Sequence, residues 1–147
     1  MAGAMTNYLE NKLLDFIFRG QGLILPPALY LGLFTTFTDE TGGGIEVTGG
    51  GYARASIPRS LEAWSGTQSP GTVTESVGAS GRTSNNAVIQ FPEPTGGWGV
   101  AVDFAVFDAQ AGGNMLFYGR LAIPKSINNG DVPPSFMPSD LAYQIDN

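Results

Sequence analysis

The chain has 147 residues, 42% apolar and only 14% charged, and carries a formal net charge of −6. That length fits one domain with a sizeable core. Its seven basic residues are scattered, which argues against a nucleic-acid partner, because that binding rests on Lys and Arg neutralising phosphates.

Cysteine and histidine are both absent. No disulfide framework or thiolate chemistry is therefore available. The usual general base at neutral pH and the commonest zinc ligands are missing too. The expectation is a protein with no catalytic residue, no cofactor and no metal. No stretch approaches the roughly 18 apolar residues that span a bilayer, so no membrane partner is expected. With 21 Gly and 10 Pro, short strands joined by many turns are expected. Residues 1–5 read as an expression remnant followed by the natural start at Met5, leaving 6–147 as a single domain.

The first element is a helix. Asn7 is a candidate N-cap with Glu10 three residues on, close to a capping box. Leu9, Leu13, Phe16 and Ile17 form one apolar stripe, and Gly20 is a natural stop. A helix this short cannot be stable alone and needs a sheet or a neighbouring subunit to lie on. After Pro26 and Pro27 the period changes to two. Residues 28–35 are apolar on both sides, which predicts a central strand covered on both faces, by the helix on one of them. Two glycine triplets, 42–44 and 49–51, mark a loop holding at most a short strand at 45–48. Residues 52–58 read as a strand.

Residues 60–84 are poor in apolar side chains and read as a long loop, functional or disordered, with room for a ribbon at 72–77. Residues 86–91 predict a strand with Ala87, Ile89 and Phe91 facing inward. Residues 98–108 predict another, with Val100, Val102, Phe104 and Val106 on one face. The Gly112-Gly113-Asn114 turn leads into a partner at 115–121. Residues 123–127 and 141–145 supply the last strands. The predicted class is mainly β: an antiparallel, jelly-roll-like β-sandwich with one N-terminal helix.

The ordered series Tyr8-Leu9-Glu10-Asn11-Lys12-Leu13-Leu14-Asp15, Ala28 to Thr35, Gly50-Gly51-Tyr52-Ala53-Arg54, Asn85-Asn86-Ala87, Phe104 to Ala109 and Gly112 to Leu116 resembles a family of small virion proteins of tailed bacteriophages. Members are often labelled tail fibre or minor structural proteins. The resemblance covers roughly residues 6 to 132. It implies a non-enzymatic virion component, made in the host cytoplasm, that assembles with copies of itself, as a trimer for preference, and with other particle proteins. Capsid decoration or a head spike, and a host-surface glycan-binding module, are the alternatives.

The residues expected to touch partners are Trp64 in the polar loop, Arg54, and the Phe136 and Met137 pair in a proline-bounded segment. Gly49 to Arg54 lacks the Lys and the following helix of a phosphate loop, so a tight turn is the better reading. Asp103 with Asp108, and Asp39 with Glu40, are carboxylate pairs that could serve glycoside hydrolysis; structural roles are favoured, with Asp108 bonding the turn that follows it. Trp98 is expected in the core.

Overall fold

The computed structural model describes residues 2–145; Met1 of the segment read as a remnant, and residues 146–147 of the expected domain, lie outside the described residues. Among the described residues, nine strands and one helix follow in order: β1 (Ala2–Met5), α1 (Asn7–Phe18), β2 (Ala28–Phe34), β3 (Ala55–Pro58), β4 (Arg82–Ser84), β5 (Ile89–Gln90), β6 (Gly99–Phe107), β7 (Met115–Ile127), β8 (Ser135–Phe136) and β9 (Ala142–Gln144). Seven strands form one sheet in the order β3-β2-β6-β7-β1-β9-β4, and β5 with β8 makes a separate ribbon.

The fold is mainly β, but its main sheet is mixed and curled. β1 pairs parallel with β9 and antiparallel with β7, so the sheet is not wholly antiparallel as expected. Phe104 on β6 and Tyr143 on β9 stand three places apart in strand order. In a flat sheet that separation is roughly 14 Å, yet their ring centroids are 6.2 Å apart. The sheet bends over into a half-barrel whose concave side holds the core. Leu31, Leu33, Ile57, Phe104, Val106 and Tyr143 line that side, and the β5–β8 ribbon covers it with Ile89 and Phe136. One curled layer with a two-strand cover thus stands where two facing sheets were expected. Each of the larger side chains buried here contributes about 1.5–3 kcal/mol.

β2 carries apolar groups on both faces, and both are covered. Its second face, with Phe34 packed against Ala105, Phe107 and Met115, lies under the loop that runs from β2 to β3, not under α1. A bulge between Ala101 and Asp103 breaks the expected alternation of β6. The register slips there by three residues, with the surplus on β7, and Ala101 lies in the core while Val100 is outside. The segments 115–121 and 123–127, expected as two strands, run as the single strand β7. Residues 2–5, read as a remnant and start ahead of the domain, occupy an interior place in the sheet as β1. Residues 72–77 form no strand, and Ala87 is exposed.

Candidate assembly surface

α1 is anchored at its first turn. Thr6, extended at φ −82° and ψ 159°, is the N-cap, one residue before the Asn7 expected. Its Oγ1 accepts from Leu9 N at 3.4 Å and donates to Met115 O at 2.6 Å. Thr6 N donates to Leu116 O at 3.0 Å and Asn7 N to Glu40 O at 2.9 Å. The cap moved because these β7 carbonyls fix Thr6, and the chain can enter the helix only after it. Gly20, at φ +67°, ends the helix as expected.

Beyond that first turn α1 stands away from the body. Leu9 is its one buried residue; the elements it touches are β7 and β1. Leu14, Phe16 and Ile17 are more than half exposed, Phe18 is 77% exposed, and Ile24 on the return segment is 92% exposed. Arg59 pins the base of that return: its Nη1 donates to Leu25 O at 2.9 Å and to Pro26 O at 2.8 Å. Residues 7–27 form an apolar arm held at both ends, in which Leu13, Leu23 and Leu25 are half-buried and Leu14, Phe16, Ile17, Phe18 and Ile24 are exposed. Leu14 and Phe18, which lie off the Leu9-Leu13-Phe16-Ile17 stripe, were the signal in the sequence; so was Leu23-Ile24-Leu25, apolar residues set between glycines and prolines.

The residues expected to make partner contacts fall elsewhere, and two of them are committed inside the fold. Arg54, expected at the surface, is 8% exposed. Its Nε and Nη2 donate to Glu46 Oε1 and Oε2, both at 2.8 Å. Nη1 donates to Ala109 O at 2.7 Å and Gly112 O at 2.8 Å, and the guanidinium lies 3.4 Å from the Phe107 ring centre. The cation ties the 46–54 loop to the β6–β7 turn. Phe136 is also buried, its ring between Phe91 and Phe104, because β8 places it on the core side; Met137, next along, is exposed. Trp64 is half-buried and packs on Tyr143, with centroids 5.9 Å apart.

Trp64 and Tyr143 help line a cavity of about 480 Å³ that also meets Leu29, Arg59, Thr83 and Phe117. Trp64 Nε1 and Tyr143 Oη are buried without a hydrogen-bond partner. Burial holds the Tyr143 phenol above its ordinary pKa. Tyr52 is raised too, by burial first and then by the hydrogen bond it donates to Glu46.

The carboxylates have structural tasks. Asp103 is 2% exposed; it accepts from Thr38 N at 2.6 Å and Thr38 Oγ1 at 2.8 Å, and pairs with Arg120 at 3.4 Å. Asp108 Oδ1 accepts from Asn114 N at 2.7 Å, closing the turn as expected. Asp39 accepts from Thr41 Oγ1 and from the Thr41 and Gly43 amides, bonds that lower its pKa. Gly49, Gly50 and Gly51 all take positive φ, the tight turn expected. Trp98 is buried, and its Nε1 donates to Gly50 O at 2.8 Å. Among the described residues, no three acidic side chains gather as a metal site and no helix is long and apolar enough to cross a membrane.

No curated protein matches the chain. A family model described as the podophage GP4 fiber I protein gp80 matches residues 4–144, nearly the whole chain, from the second half of β1 through the arm to the end of β9. The chain belongs to that family of phage fibre proteins.

Proposed function

We propose that this chain is a non-enzymatic structural subunit of a phage tail fibre, acting by self-assembly and by contacts with other virion proteins. The observation that carries this reading is the apolar arm. The folded body leaves Leu14, Phe16, Ile17, Phe18 and Ile24 exposed close together in one segment, and such patches mark protein–protein contact. The family match to a fibre protein supports the same reading. So does the use of Asp103 and Asp108, whose carboxylates hold a loop and a turn in place.

Immunogold labelling of purified particles tests it. Label along the fibres is the expected result. Label over the head shell would favour capsid decoration instead, and absence of the protein from purified particles would end the structural reading.

One observation favours a second reading, a host-surface glycan-binding module: the cavity walled by Trp64 and Tyr143, with Arg59 and Thr83 also lining it. A glycan array decides it. Binding that Trp64→Ala abolishes would support the module; no binding by the folded protein removes it.

A further inference from the structure

The cavity beside Trp64 is walled by β2, β6, β7, β9 and the start of the connection from β3 to β4. Leu29, Leu61, Trp64, Val106, Phe117 and Tyr143 supply its apolar faces. We infer that it binds an apolar carboxylate, a small acid with an acyl or aryl body, whose head is received by Arg59, Trp64 and Tyr143. The inference stands independently of the assembly reading above.

The first argument is size and rigidity. At about 480 Å³ the cavity lies within the roughly 300–1,000 Å³ of small-molecule sites. Val106 and Phe117 are register partners on β6 and β7, and Thr83 and Tyr143 are partners on β4 and β9. Hydrogen bonds of the sheet therefore fix two of its walls before any ligand arrives.

The second argument is the set of polar groups. Trp64 Nε1 and Tyr143 Oη are buried atoms with no hydrogen-bond partner. Buried polar groups are nearly always paired, so two orphans on one cavity call for an acceptor from outside the chain. An indole N–H can only donate. Arg59 adds a cation. Its Nη1 holds Leu25 O and Pro26 O, yet it joins no ion pair among the described residues. Three donors, one of them charged, select an anion, and the apolar faces select an apolar body. A carboxylate suits the donors because its two oxygens offer about four acceptor positions.

A sugar suits the cavity less well. Each sugar hydroxyl donates as well as accepts, and among the described residues no carboxylate or side-chain amide lines the cavity to receive it. Its two hydroxyl side chains are already engaged. Thr83 Oγ1 donates to Ser65 O at 2.7 Å, and Ser60 Oγ accepts from Ala63 N at 3.1 Å. Neither orphan atom is open to solvent, whereas the Trp64 side chain as a whole is only half-buried. Its ring must turn for an acid to reach it, so binding changes Trp64 fluorescence.

Calorimetric titration and tryptophan fluorescence on the full chain, with decanoate and phenylbutyrate as probes, test the inference. One molecule per chain is expected. Decanoate alone points to a lipid-derived acid and phenylbutyrate alone to a free aromatic acid; either supports the site. Decanol, which lacks the charge, is expected to bind about tenfold more weakly. Arg59→Gln is expected to weaken the acid by about the same factor, and Arg59→Lys to recover part of it. Tyr143→Phe is expected to weaken binding about fivefold while the melting temperature holds or rises, since it removes an unpaired buried group. A phenol with only a structural role would show the reverse. Failure of both acids to bind overturns the inference. So does binding that Arg59→Gln and Tyr143→Phe leave unchanged, which places the acid elsewhere on the surface. Equal binding of decanol, or displacement of the acid by N-acetylglucosamine, overturns it as well, the latter in favour of the glycan reading.

Discussion

Thr6 and Met115 are joined by a 2.6 Å hydrogen bond from the threonine hydroxyl to the Met115 carbonyl, across a sequence separation of 109 residues. The same oxygen caps α1 by accepting from Leu9 N. One side chain, 1% exposed, thus fixes where the arm leaves the sheet. Thr6→Ala removes both bonds and is expected to cost about 1–2 kcal/mol in urea unfolding. Thr6→Ser, which keeps the oxygen, is expected to recover most of that. Equal losses from the two changes would show that the methyl group, and not the cap, matters.

Arg54→Met tests the buried tie between the 46–54 loop and the β6–β7 turn. The substitution keeps the length of the stem but leaves Glu46 without its bidentate partner and two carbonyls without a donor. Breaking one side of a buried pair costs about 3–5 kcal/mol, so a fall of about that size in unfolding free energy is expected. A loss below about 1 kcal/mol, the range of exposed pairs, would mean that the ion pair is solvated in solution.

The helix, the glycine turns, the core position of Trp98 and most strand positions were legible because they depend on local periodicity and turn chemistry. What decides the rest is long-range. Nothing within residues 2–5 announces a strand; β1 exists because β7 and β9 leave a gap that a short backbone fills. Arg54 looks like a surface cation until Glu46, Phe107 and two turn carbonyls surround it. Phe136 and Met137 look alike as an apolar pair, and only the pairing of β8 with β5 sends one ring inward and the other side chain out. The family was readable from ordered short motifs. The arm was readable only in part: the apolar stripe was evident, but its exposure depends on what the body fails to cover.

Gly119→Ala probes the curl of the sheet. A Cβ at Gly119 would stand 2.5 Å from Cζ of Phe104 and 3.0 Å from its Cε1, and Phe104 is fully buried. Backbone and ring must part, at an expected cost of about 1–3 kcal/mol. Adding Phe104→Leu should return part of that loss. If Gly119→Ala leaves the melting temperature unchanged, β7 and β6 do not approach as closely as described.

Tyr52 and Tyr143 both have folded pKa values raised above the ordinary phenol value. The native state therefore holds these two protons more tightly than the unfolded chain does. Above about pH 10, where unfolded phenols ionise, the unfolded chain binds fewer protons, and stability falls as pH rises. Below that pH neither group makes stability depend on pH. Denaturant midpoints measured on both sides of the unfolded pKa are expected to drop on the alkaline side, with a shallower drop in Tyr143→Phe. Identical slopes in the two proteins would show that the Tyr143 phenol ionises freely while folded.

Hydrogen exchange along α1 as a function of protein concentration bears most directly on the account as a whole. Amides of residues 10–18 are expected to be protected at high concentration and to lose protection on dilution, while those of β2 and β6 stay protected throughout. Fast exchange of α1 at every concentration, or protection that dilution does not change, would contradict an arm held in place by other copies of the chain.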